Sequence, residues 1–114
     1  MTNEFNSVVE RLQRQPGVLG VMLVGLDDGM VIAGDAGPGR QDDTAAALAS
    51  SVFRRTRNAA AEAGLGDANF IRLEADQGHL CAAARGDLVI VTVASSTINL
   101  GRLRLEMLAA VEKL

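Results

Sequence analysis

Residues 88–114, LVIVTVASSTINLGRLRLEMLAAVEKL, decide the fold. Leu88 to Ala94 carries no charge and is dense in β-branched residues, the composition of a strand covered on both faces. Ser95, Ser96 and Thr97 interrupt it, and Leu100, Leu103, Met107, Val111 and Leu114 then recur at helical spacing. A side-chain oxygen at the start of a helix accepts from its free amides, so Thr97 or Asn99 is expected to cap this last helix, contributing about 1 kcal/mol. A central strand therefore feeds a terminal helix.

Working outward, Val18–Leu26 (VLGVMLVGL) is a second almost wholly apolar strand. Asp27-Asp28-Gly29 closes it as a hairpin turn, and Met30–Ala33 returns. Ahead of it, Phe5, Val8, Val9 and Leu12 mark the inner side of a first helix that Pro16 and Gly17 stop. Gly34, Gly37, Pro38 and Gly39 predict a flexible connector. Asp42 or Asp43 is expected to cap a middle helix running to about Gly64. Its stripe Ala45, Leu48, Ala49, Val52, Thr56 and Ala63 is assigned to the sheet. The flank Ala46, Ser50, Phe53 and Arg57 is left for a second helix, because small residues permit close approach.

The remainder predicts a meander. Asn69–Glu74 alternates, with Ile71 and Leu73 on one face and Arg72 and Glu74 on the other, which suits an edge strand. His79–Ala84 follows the Asp76-Gln77-Gly78 turn, and Gly86-Asp87 turns into Leu88–Ala94. The predicted order is αββαβββα in one domain, residues 1–114. Strands apolar on both faces need cover on both, so the fold class is a three-layer α/β (α+β) arrangement. The five-stranded antiparallel sheet has the terminal helices on one face and the middle helix on the other. The open edge at Asn69–Glu74 predicts self-association, since unpaired strand amides and carbonyls are a template for another chain.

Composition excludes several functions. A net charge of -3 and the lack of Trp and Tyr argue against nucleic acid as a partner. No apolar run approaches the length of a membrane span, so membrane insertion is not expected. Cys81 is the only cysteine and cannot form an internal disulfide, which with the absence of a leader-like N-terminus predicts a cytoplasmic location. Lys113 is the only lysine and no phosphate-binding Gly-x-x-x-x-Gly-Lys-Ser/Thr loop exists, so the chain is not itself a nucleotide hydrolase. Gly34, Gly37 and Gly39 lack dinucleotide spacing, and no cofactor is expected. His79 and Cys81 lie two apart on one strand, but with no further His or Cys they read as packing rather than as a metal or nucleophile site. No serine sits in Gly-x-Ser-x-Gly, and no catalytic residues are assigned. The one concentration of positive charge is Arg54, Arg55 and Arg57, either a solvated helix face or a patch facing an acidic partner.

The run Gly17-Val18-Leu19-Gly20-Val21, the Asp-Asp-Gly turn, the long middle helix, Phe70-Ile71-Arg72-Leu73-Glu74, Leu88–Val93 and Asn99-Leu100-Gly101-Arg102-Leu103-Arg104 occur in the order seen in the Roadblock (dynein light chain) family, which this chain resembles over nearly its whole length. The resemblance implies a homodimer in which two sheets join through the strand Asn69–Glu74 and the middle helices pack side by side. On that basis the dimer interface is expected at Ala46, Ser50, Phe53, Arg57, Phe70, Ile71, Arg72 and Leu73. The retained final helix is similar to the prokaryotic type, which associates with Ras-like small GTPases. It implies a non-catalytic regulator or scaffold that alters the nucleotide state or location of such a GTPase, activation of hydrolysis included, with Arg54 and Arg57 as GTPase-facing candidates. A structural adaptor of the light-chain type is the alternative, and a small-ligand sensor is the weakest reading, because the chain supplies few residues for a polar pocket.

Overall fold

The computed structural model describes the backbone of residues 2–114 and the side chains from Phe5 onward. Its elements are α1 (Thr2–Gln13), β1 (Val18–Gly25), β2 (Val31–Asp35), α2 (Asp42–Glu62), β3 (Phe70–Ala75), β4 (Gly78–Arg85), β5 (Leu88–Ala94) and α3 (Leu100–Val111). The strands form one antiparallel sheet in the order β2-β1-β5-β4-β3, so the most apolar strand lies at its centre.

Each face of the sheet buries its own cluster. Val21, Leu23, Cys81, Ala83, Ile90 and Ala94 pack under Val8, Val9 and Leu12 of α1 and Leu103, Met107 and Val111 of α3. Met22, Val24, Ala82, Val89 and Val91 pack under Ala46, Ala49 and Phe53 of α2. Alternation along each strand sends successive side chains to opposite layers, and both layers are needed because both sets are apolar. The three-layer arrangement expected from the sequence is therefore the one observed.

Local differences have local causes. Gly34 belongs to β2, not to the connector, at a φ of 80°. A side chain there would collide with the Val21 carbonyl, so the strand passes close to β1 only because the residue is Gly. Neither Asp42 nor Asp43 caps α2: the cap position is Gln41, and Asp42 instead accepts the Ala36 amide at 2.8 Å, tying down the preceding loop. Both aspartates still lie in the first turn, where the helix dipole favours them. At its other end α2 stops as expected. Gly64 has a φ of 75°, its amide bonds the Ala61 carbonyl, and the Leu65 amide bonds Ala60, which satisfies two otherwise free carbonyls. Asn99 caps α3, its Oδ1 accepting from the Arg102 amide at 3.0 Å, whereas the Thr97 hydroxyl pairs with that of Ser95. Leu114 lies beyond the end of α3, which closes at Val111.

The two edges of the sheet are built differently. β1 and β2 shift register between Leu23 and Val24, which face Ala33 and Val31, so Ile32 is an extra residue bulged out of the ladder. Bulges kink an edge and discourage further pairing. β3 is regular against β4 along its whole length, from Phe70 opposite Ala83 to Ala75 opposite Gly78.

Candidate partner-binding surface

The faces of α2 are exchanged relative to the sequence expectation. Ala46, Ser50 and Phe53, expected at a dimer interface, are at most 1% exposed and sit against the chain's own sheet. The stripe expected to cover the sheet is mostly outside: Leu48 is 47% exposed, Ala45, Val52 and Thr56 are half-buried, and Ala63 is exposed. Only Ala49 is buried as expected. The two stripes are hard to separate in a helix this rich in alanine, because several orientations bury similar apolar area. Phe53 was the available signal, since the bulkiest side chain gains most from burial.

The β1–β2 turn fixes which way the outer stripe looks. Gly29 in that turn lies against Ser50 and Ala47, and Arg54 reaches the same turn. Ala45, Val52 and Thr56 are on the other flank of the helix, turned away from that turn. Beyond them Ile71, Leu80 and Val93 are only partly buried, and Leu73 is 39% exposed. A shallow hollow opens there between Leu73, Leu80, Val93 and Arg40. Continuous with it is the free edge of β3. The result is a half-covered apolar strip on the α2 side of β4 and β3, formed by Leu80, Ile71 and Leu73 and ending at the open sheet edge, while Leu48 and Val52 stand half-buried to exposed on the outer stripe of α2. Of the residues expected at an interface, Phe70, Ile71, Arg72 and Leu73 stand at this edge. Leu48 and Val52, expected to cover the sheet, are instead on the outer side of α2.

The arginine cluster is divided in role. An Arg54 Nη1–H donates to the carbonyls of Leu26 and Asp27, clamping α2 to the β1–β2 turn. Arg57 donates to the Gly86 carbonyl at 3.0 Å and lies 5.5 Å above the Phe53 ring, clamping α2 to the β4–β5 turn. Thus Arg54 and Arg57, the expected partner-facing pair, hold the helix in place. Arg55 is exposed and takes part in no hydrogen bond or ion pair among the described residues.

His79 and Cys81 do share a face, under the terminal helices, and both are buried. Burial pushes the Cys81 thiol up to about 11, against a smaller opposing pull from Arg72. A thiol held protonated at neutral pH is a poor nucleophile and a poor metal ligand. The His79 Nδ1 and Thr92 Oγ1 are buried nearby without a hydrogen-bond partner. No group of three or more His, Cys, Asp or Glu side chains suited to a metal occurs among the described residues. No described helix is long and apolar enough to cross a membrane.

A sequence profile described as Roadblock/LC7 domain matches residues 4–95. The uncharacterized protein MJ1340 of Methanocaldococcus jannaschii is 33% identical over 111 residues, with 96% of each chain covered. MJ0310 of the same organism is 32% identical over the same share. Among solved structures, the fold is similar to a Roadblock/LC7 domain from Streptomyces avermitilis at a TM-score of 0.80 and 23% identity, covering 98% of this chain and 92% of that one. It is also similar to MglB of Myxococcus xanthus at a TM-score of 0.84 and 22% identity, covering 97% and 84%. The gliding protein MglB of Thermus thermophilus matches at 0.83 and 22%, covering 98% and 86%.

Proposed function

Because this chain belongs to the Roadblock/LC7 domain family, we propose that it acts as a homodimer that binds a Ras-like small GTPase and modulates its nucleotide state or location without catalytic residues of its own. One observation carries the dimer: β3 is a straight, unbulged, unpaired edge bordered on the α2 side by half-exposed Ile71, Leu73 and Leu80. Pairing it with a second copy satisfies the free backbone groups and covers the apolar strip in a single step. In that dimer the outer stripes of the two α2 helices, Leu48 and Val52 foremost, pack together.

Arg55, three residues on from Val52 and seven from Leu48, stands on the same stripe, so the paired helices carry its exposed guanidinium to the rim of the surface that they form across the dimer. This is the surface offered to acidic segments of the GTPase, with Arg54 and Arg57 keeping it rigid. The bonds of Arg54 and Arg57 to their turns favour a scaffold over a catalytic arginine, because insertion into an active site would first break those contacts. Light scattering on the chain, followed by pull-down of a co-encoded Ras-like GTPase loaded with GDP or a GTP analogue, tests the reading. Nucleotide-dependent capture by a dimer is expected. A monomer, or capture of neither form, overturns it; equal capture of both forms favours the structural adaptor.

A further inference from the structure

Resting on the dimer proposed above, we infer that two copies of β3 pair in one register, with the two-fold axis at Leu73, and that Arg72 and Glu74 select it. Directly opposed residues in an antiparallel pair share a face of the sheet. Around a two-fold axis perpendicular to the sheet, residues of the same parity must therefore meet, and the axis must pass beside a residue rather than between two. Phe70–Ala75 keeps most of its length paired only if that residue is one of its two middle members, Arg72 or Leu73.

Side-chain chemistry separates these two choices. With the axis at Arg72, each guanidinium faces its own copy and Phe70 faces the partner's Glu74. With the axis at Leu73, Arg72 faces the partner's Glu74 and Glu74 faces the partner's Arg72. Opposite charges directly across a strand pair stabilise it and like charges destabilise it. The two faces agree on the answer. Leu73 lies opposite Leu80, on the α2 side, so an axis there makes Leu73 meet itself within the apolar strip. Arg72 lies opposite Cys81, on the side of the terminal helices, where the two ion pairs form away from that strip. Both charged side chains are free to exchange partners: Arg72 is 47% and Glu74 66% exposed, and the 3.7 Å contact between them along the strand is an exposed one of little strength. β3 bears no other charge. Arg104 of α3 lies 5.7 Å over the Phe70 ring on the same face, but an acidic residue falls opposite Phe70 in either register, Glu74 with the axis at Arg72 and Asp76 with it at Leu73, so Arg104 does not choose between them. The Arg72 and Glu74 pair thus encodes the register and, through it, the preference for an identical partner over a relative with a different pattern.

The test is a charge exchange on the full chain, read as dimer dissociation constants by sedimentation at low salt. R72E and E74R should each weaken their homodimer by roughly tenfold or more, since two opposed pairs turn repulsive in each. An equimolar mixture of the two should form mixed dimers about as tight as the unaltered homodimer, which also shows that both variants are folded. The double variant R72E/E74R should regain the homodimer, and the differences should shrink in high salt. If R72E homodimerises as tightly as the unaltered chain and binds that chain more tightly still, the axis is at Arg72 and the inference is overturned while the dimer stands. Indifference to every exchange overturns it as well. A chain monomeric before any substitution removes the dimer itself.

Discussion

Single side chains carry two consequences that can be measured without a partner. Cys81 is buried and its thiol is pushed up to about 11 from 9.0, chiefly by desolvation. The fold therefore favours the neutral thiol: this stabilisation is complete below pH 9 and is lost as pH rises toward 11. Relative to Cys81→Ala, the unaltered chain should lose roughly 2 kcal/mol between pH 8 and pH 11, read from urea midpoints at each pH. At neutral pH the same substitution should lower stability by about 1 kcal/mol through lost packing, with partner affinity unchanged. Arg54 predicts a contrast with its neighbour. Arg54→Ala removes the donor to the Leu26 and Asp27 carbonyls and should cost about 1–2 kcal/mol, whereas Arg55→Ala should stay within about 0.5 kcal/mol. Equal costs in denaturant titrations would contradict the clamp. Adjacent arginines look alike in sequence; only the turn that each reaches distinguishes them.

At the level of elements, β2 and β3 show how a sheet handles its two edges. β2 is bent by the bulge at Ile32, and β3 is left straight. Ile71→Pro should abolish dimerisation, raising the dissociation constant by about a hundredfold or more, because proline removes an amide donor from the strand. Light scattering over a concentration series checks this, with far-ultraviolet dichroism and a cooperative urea transition to show that the monomer stays folded. Proline at Ile32 should leave oligomeric state unchanged, since the proposed dimer uses the other edge. The edge role of β3 was legible in its alternation of apolar and charged residues, and the α3 cap was legible at Asn99. The orientation of α2 was not. Its alanines offer apolar area on several sides, and the choice falls to Phe53, a fully buried aromatic side chain in the cluster that also holds Met22, Val24 and Val91.

For the whole molecule, the expected behaviour is that of a binding module whose charge steers rather than catalyses. Arg55→Ala should weaken capture of the proposed GTPase partner several-fold at low salt and much less at high salt, since exposed charges act through attraction that ions screen. Nucleotide hydrolysis per bound complex should change no more than binding does. A loss of hydrolysis of about 10³ with binding intact would instead mark a catalytic arginine; single-turnover hydrolysis measured beside equilibrium binding separates the two. By itself the sequence determined the element order, the three layers and the absence of a nucleotide-hydrolysing loop, because periodicity, turn chemistry and charge act within a few residues of chain. Tertiary structure alone decided which flank of α2 stays open, that Arg54 and Arg57 serve as clamps, and that β3 rather than β2 is the straight edge. Each of these depends on residues distant in the chain competing for one space: Phe53 for the sheet surface, the Leu26 and Gly86 carbonyls for a donor, and Ile32 for a place in the ladder.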